Sequence, residues 1–229
     1  MKRIITTAFF SIAMMLYAQA QTVDEIINKY IAAIGGKEKL LALKTMKTTA
    51  TNLNPQGINV EIITTQKHMV GIRTDRNRSG AKAFTVITPK KGWVAAFGEA
   101  TPKEMPEEQF KNAKERLDIQ GIFFNYKEKG TKIELAGKEK VEGSECFNLK
   151  VTNKNGLITN YFFDSKTYRI IKSIRGEISN LFLNYKKNAE GYWFPYTYKQ
   201  SNGAVQTILK IETNIPVDDK IFQVDEGVF

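Results

Sequence analysis

The 229-residue chain contains one cysteine, Cys146, and one histidine, His68. A lone cysteine excludes an intramolecular disulfide, so the core must hold the fold. With no second His, no Cys cluster and no H-E-x-x-H, the usual zinc-ligand sets are excluded, and no metal or cofactor is expected. A Cys–His dyad would need His68 beside Cys146 in space. Cys146 instead reads as a small packed residue on the face of its strand opposite Phe147 and Leu149. His68 reads as an exposed or satisfied side chain in a strand-like segment. No G-x-S-x-G elbow, P-loop or G-x-G-x-x-G is present. Carboxylates remain. Asp164 ends a strand in Asp164-Ser165-Lys166-Thr167-Tyr168, and Asp218-Asp219 follow Pro216. Turn capping accounts for both, ahead of a two-carboxylate glycosidase. The chain is therefore read as a non-enzyme.

Linkers, low-complexity runs and internal repeats are also missing, which argues for one domain over residues 21–229. A chain of this length can bury roughly 70% of its unfolded surface. Residues 1–20 are set apart as a cleaved signal peptide. Lys2 and Arg3 form a positive start, Ile4 to Tyr17 is an apolar run, and Ala18-Gln19-Ala20 is an A-x-A cleavage site. The apolar run is short for a membrane-spanning helix. No Cys directly follows the cleavage site, so no N-terminal lipid anchor is expected. The net charge is +10. Its lysines are spread rather than blocked, which favours a solvated surface over an anionic membrane partner. An exported chain without a binding motif excludes nucleic acid as a partner.

Thr22 and Glu25 form a T-x-x-E capping box. Val23, Ile26, Ile27, Tyr30, Ile31 and Ile34 then recur at helical spacing up to Gly35-Gly36. A second short helix is expected over Lys37 to Leu43, and a third over Glu107 to Leu117. In the third, Phe110, Ala113 and Leu117 face one way and Asn112, Glu115 and Arg116 the other. Ile119 to Tyr126 is apolar but of ambiguous type. Strands are expected from Met46, around Ile58 to Ile62, over His68 to Arg73, and in a hairpin carrying Phe84, Val86 and Trp93. Arg76 to Gly80 reads as a polar turn, and Ala100 to Pro106 as a loop. Arg73, Arg76 and Arg78 cluster there. A solvated turn is the plainer reading, and a grip on an anionic head group the sharper one.

From Thr131 onward the pattern becomes a long meander, with strands near 145–153, 157–164, 168–175, 178–187, 192–200 and 204–213. Asn155-Gly156, Glu190-Gly191 and Asn202-Gly203 predict tight hairpins, hence antiparallel neighbours. Within the hairpin from Gly137 to Asp164, Phe147, Leu149 and Val151 share one face. Tyr192, Phe194, Tyr196 and Tyr198 are expected to share another, as are Leu181, Leu183 and Tyr185, and Leu209 with Ile211. The fold class is α+β: one large curved antiparallel sheet with helices packed on its concave face as a lid. The helices are few for such a sheet, so either it packs tightly on them or a cavity remains.

The order of these segments resembles a known family. After the signal come VDEIINKYIAAIGGKEKLLALKTMK, the Gly92-Trp93 pair, LDIQGIFFNYKEKGTKIELAGKEKVEGSECFNLKV, YFFDSKTYRIIK, and EGYWFPY with a closing IPVDDKIF. Together they cover nearly all of residues 21–229. The sequence resembles periplasmic proteins of the outer-membrane lipoprotein-sorting type, related to the LolA and LolB lipoprotein carriers. That resemblance implies an unclosed half-barrel whose apolar concave face holds acyl chains beneath a helical lid, in the periplasm. It implies a lipid or acylated lipoprotein as partner, with transient contact with a membrane or membrane proteins, in a monomer. The candidate lining residues are Phe147, Leu149, Val151, Leu183, Tyr185, Phe194, Tyr196, Leu209 and Ile211. Phe123 and Phe124 are candidate lid contacts, and Gly35-Gly36 and Gly121 candidate hinges. The alternative is a protein-interaction module whose sheet is fully packed, with no ligand cavity.

Overall fold

The computed structural model describes residues 21–99 and 101–224, so the expected signal peptide lies outside the described residues. Two helices open the chain, α1 (Val23–Ala33) and α2 (Lys37–Ala42). The capping box forms as expected: the Thr22 hydroxyl accepts from Glu25 N and the Glu25 carboxylate from Thr22 N. Strands β1 (Thr45–Leu53), β2 (Asn59–Lys67), β3 (Gly71–Arg78), β4 (Ala81–Ile87), β5 (Gly92–Ala95) and β6 (Lys103–Glu104) follow. Helix α3 (Glu107–Ala113), a 3-10 turn (Lys114–Leu117) and a series of turns lead to β7 (Lys132–Val141). The rest is β8 (Ser144–Thr152), β9 (Ile158–Asp164), β10 (Ile170–Arg175), β11 (Ile178–Lys187), β12 (Trp193–Gln200), β13 (Val205–Thr213) and a final 3-10 turn (Asp219–Phe222).

All thirteen strands belong to one unclosed antiparallel sheet, in the order β6-β5-β4-β3-β2-β1-β13-β12-β11-β10-β9-β8-β7. Two meanders, β1–β6 and β7–β13, are thus joined where β1 pairs with β13. Each meander ends at an opposite edge, and the segment 105–131 carries the chain from one edge to the other. It does so across the inner face. Met105, Phe110, Ala113 and Leu117 pack on Ile72, Ile87 and Val94 at one end of the sheet. Phe123 packs on Leu149, Phe163 and Tyr161 at the other. Helix α1 shares that second end, burying Ile26 and Ile27 on Phe147, Leu149, Val151 and Ile170.

Several local expectations are corrected. His68 to Arg73 is not one strand: His68 lies in the turn between β2 and β3. Arg76 to Gly80 is not a turn: Arg76 and Arg78 belong to β3, and the reversal occurs at Ser79-Gly80. The Asn-Gly hairpins are longer than two residues. Asn153 N donates to Leu157 O (3.0 Å) and Gly156 N to Asn153 O (2.9 Å), with Gly156 at φ +83°. This is a three-residue loop closed by a left-handed glycine. The Asn153 carboxamide oxygen holds it by accepting from Asn155 N and Leu157 N. Asn54 to Gly57 repeats the backbone pattern and the side-chain cap, as does Asn188 to Gly191 with a bond from Tyr192 N. Three loops thus run Asn-x-x-Gly, while the one at Asn202-Gly203 has the same backbone pattern opening on Gln200.

The C-terminal 3-10 turn folds back on β2 and β3. The Asp218 carboxylate caps it at Lys220 N, Lys67 Nζ meets Asp219 (2.6 Å), and Arg73 donates to Ile221 O (3.2 Å). The Phe222 ring lies directly on Gly71: a Cβ there would stand 2.3 Å from Phe222 Cγ. Gly71→Ala is therefore expected to displace the tail and destabilise the fold by about 1–3 kcal/mol. Urea denaturation of the purified variant checks this; an unchanged midpoint contradicts the tight contact.

Candidate functional site

Alternation along each strand decides what faces the concavity. On β8, Phe147, Leu149 and Val151 point inward, and all three are fully packed under α1. Cys146 points outward, as expected, into a second cluster with Val141, Phe162, Ile174 and Leu181. On β11 the expected face is wrong. Leu181 belongs to that outer cluster, and Leu183, two residues on, shares its face, while Phe182 reaches the inner core. Asn184 is left-handed (φ +55°) and resets the alternation. Tyr185 thereby turns inward, where its hydroxyl donates to Ile170 O (2.9 Å) and senses Tyr30 and Tyr198.

On β13, the register between Thr49 and Ala50 of β1 and Lys210 and Ile208 leaves Leu209 as an extra, unpaired residue. A bulge of this kind re-aims its neighbours. Leu209 is 60% exposed, and Ile208 (6%) takes the inner place expected of it. Ile211 pairs with Thr48, in the inner row that includes Thr64 and Thr74. The aromatic row of β12 does not act as one stripe. Tyr192 is buried with its hydroxyl on Lys39 O, and Phe194 lies 6.0 Å from it. Tyr196 is half-buried with Lys186 over its ring, and Tyr198 meets Phe182 edge-on at 5.4 Å.

Four tyrosines gather on the inner face beside α1, and of these only Tyr185 was among the candidate lining residues. Tyr30, Tyr161, Tyr185 and Tyr198 are each half-exposed, yet protein surrounds them closely enough to raise their pKa values. Both facts hold if the rings face a water-reachable hollow. Burial pushes Tyr198 up to about 12. Tyr161 is raised by burial, and the neighbouring Arg175 opposes this.

Of these rings only Tyr161 borders the cavity of about 540 Å³ that lies between the crossing segment and the sheet. Leu117, Ile119, Ile122, Leu157 and Tyr161 supply apolar surface, and Arg116 and Arg175 project into it. A smaller hollow of about 270 Å³ lies between α1 and residues 123–128, and it is here that Phe123 and Phe124 contribute. None of the other candidate lining residues borders either cavity. Asn112, Glu115 and Arg116, expected together opposite Phe110, Ala113 and Leu117, line this one cavity of about 540 Å³, and the last turn of the segment is 3-10.

The crossing segment is pinned on both flanks. Gln66 Nε2 donates to Arg116 O (2.6 Å) and Met69 N to Leu117 O (2.9 Å) from the β2–β3 turn. Asn153 and Asn155 reach Glu115 (3.2 and 3.1 Å) from the β8–β9 turn. His68 accepts from Ile119 N (3.4 Å) with Asp118 at 3.7 Å, so the single histidine is a satisfied anchor. Among the described residues, no three His, Cys, Asp or Glu gather as a metal site, and no helix is long and apolar enough to cross a membrane.

No protein-family model and no curated protein matches the sequence. Solved structures do. A DUF1329 family protein from Desulfovibrio piger aligns at TM-score 0.60 and 13% identity, over 88% of this chain and 97% of that one. A LolA superfamily protein from Nitrosomonas europaea aligns at 0.59 and 12%, over 90% and 99%. A domain from Vibrio parahaemolyticus named for outer membrane lipoprotein sorting aligns at 0.55 and 15%, over 86% and 94%. The chain shares its fold with these proteins, one of which is a LolA superfamily member. At these identities the likeness speaks for the fold alone.

Two side chains once considered for catalysis have structural posts. Burial, then the charge of Asp164, pushes the Cys146 thiol up to about 11. Cys146 is therefore expected to resist iodoacetamide at pH 8 in the native protein and react on unfolding; rapid native labelling, followed by mass, contradicts this. Burial raises the Asp164 pKa, but stronger hydrogen bonds from Thr167 N, the Thr167 hydroxyl and Lys166 N leave it lowered overall. Its contribution is fully present above the unfolded value, about 4, and is lost as pH falls through the folded value. Asp164→Asn should cost about 1–3 kcal/mol at pH 7 and narrow the gap to wild type in acid. Chemical denaturation across pH checks both; a gap independent of pH contradicts the capping role.

Proposed function

We propose that this protein is an exported, non-catalytic carrier that holds an acyl chain of a lipid or lipoprotein inside the half-barrel. The observation that carries the reading is the hollow of about 540 Å³ between the crossing segment and the sheet. Its volume lies within the roughly 300–1,000 Å³ typical of small-molecule sites. Each methylene buried there contributes about 0.8 kcal/mol, so a chain needs no polar recognition to be retained. Tyr161, Ile122 and Leu157 are the proposed contacts, with Phe123 and Phe124 on the lid side. Loading requires the segment 105–131 to move, with hinges at Gly121 and Gly35-Gly36. Gly121 is left-handed (φ +80°) and has open space around it. The signal-peptide pattern and the LolA-like fold support a periplasmic location, a monomer, and transient contact with membranes.

The second reading is an interaction module with a packed core. What favours it is the Phe147, Leu149 and Val151 wall, which is filled by α1 rather than open. Native mass spectrometry of protein taken from its own compartment separates the two. The carrier should arrive with lipid or acylated peptide bound, or take it up on titration with oleate. A bare mass that stays bare through the titration rejects the carrier.

A further inference from the structure

The hollow is apolar in part, but its charge is one-sided. Lys114, Arg116, Lys129, Lys154 and Arg175 line it against Glu115 and Asp118. Both acids are already engaged. Glu115 is held by Asn153, Asn155 and Lys154, and Asp118 by Lys129. Lys114 lies over the Phe110 ring at 5.9 Å. The two arginines remain. Arg175 donates Nε to Thr159 Oγ1 (2.9 Å), and no acidic group among the described residues pairs with it or with Arg116. Arg76, on the inner face of β3, donates to Thr85 Oγ1 (3.1 Å). Burial depresses the Arg116 pKa first, and the like charge of Arg76 depresses it further. Arg116 and Arg175 are both exposed to water, so their charges are solvated when the hollow is empty, and an entering anion meets two guanidinium groups that no carboxylate among the described residues holds.

We propose that this hollow selects an anionic head group, the phosphate of an acidic lipid, through the guanidinium forks of Arg116 and Arg175, with Arg76 adding to the field. Planar forks suit phosphate oxygens, and Leu157, Ile122 and Tyr161 beside them receive the start of the acyl chain. This rests on the carrier reading and names its ligand class. Nothing covalent is involved.

The test is titration of lipid-free protein with dioleoylphosphatidylglycerol, with dioleoylglycerol, and with inorganic phosphate, read by native mass spectrometry. Wild type should hold the phospholipid about tenfold or more tighter than the diglyceride, which has the same chains. Arg116→Gln and Arg175→Gln should each shrink that preference, and 0.5 M salt should weaken it. Arg116→Lys should restore part of it, since charge returns without the fork. Lys82→Gln, an exposed change outside the hollow, should leave it intact, and circular dichroism verifies that all variants are folded. Equal affinity for both lipids overturns the head-group assignment while the carrier reading stands. So does a preference untouched by the double arginine variant. Arginine-dependent binding of phosphate without lipid preference points to a free anion and also overturns it. Uptake of neither lipid removes the carrier reading and this inference together.

Discussion

The structure depends on one connection. The chain finishes its first meander at β6 and begins its second at β7, on opposite edges of a thirteen-strand sheet. Laid flat, such a sheet would be roughly 58 Å wide, at about 4.8 Å between neighbouring strands. The compact helix and turns of segment 105–131 reach across only because strand twist curls the sheet and brings its edges together. Curling makes a concave side, and the crossing segment then lies over it. The lid and the hollow are thus two results of the same topology. Anchors at Gln66 and Met69 on one flank, and at Asn153 and Asn155 on the other, keep the span in place.

Under that span the inner face divides in three. At the β3–β5 end, α3 closes on Ile72 and Ile87. At the β8–β10 end, α1 closes on Leu149 and Phe163, where Tyr30, Phe123 and Phe163 meet edge-on at 5.2 to 5.3 Å. Between these ends Tyr30 of α1 comes close to Tyr161, Tyr185 and Tyr198, and Tyr161 also lines the larger cavity beside Arg175. The two ends are ordinary core and serve stability. Part of the middle is left unfilled.

Much of this was legible in the sequence. The capping box of α1, the alternation of Phe147, Leu149 and Val151, and the late strands follow from local periodicity, and local periodicity acts wherever the strand is regular. It failed where one residue changed the count. Leu209 is an extra residue opposite β1, and Asn184 is left-handed. Each moves a side chain to the other face, and neither leaves a mark in hydropathy. Bulges are set by pairing with a distant strand, and β1 lies far from β13 in sequence. The hollow was invisible for the same reason, because Arg116 and Arg175 come to line one cavity only through the crossing connection. Family resemblance supplied the half-barrel but not the residues inside it.

The two rims of the sheet have their own consequence. An unclosed sheet leaves unpaired backbone amides and carbonyls along its outermost strands, an invitation to fuse with another chain. Here one rim is only two residues long, and the other carries Lys132, Glu134, Lys138, Glu139 and Lys140 along its exposed length. A foreign strand seeking to zip onto β7 would have to strip water from those charges. The half-barrel therefore stays open without becoming sticky. Neither rim serves as a ready template for strand addition, and the sheet ends at β6 and β7.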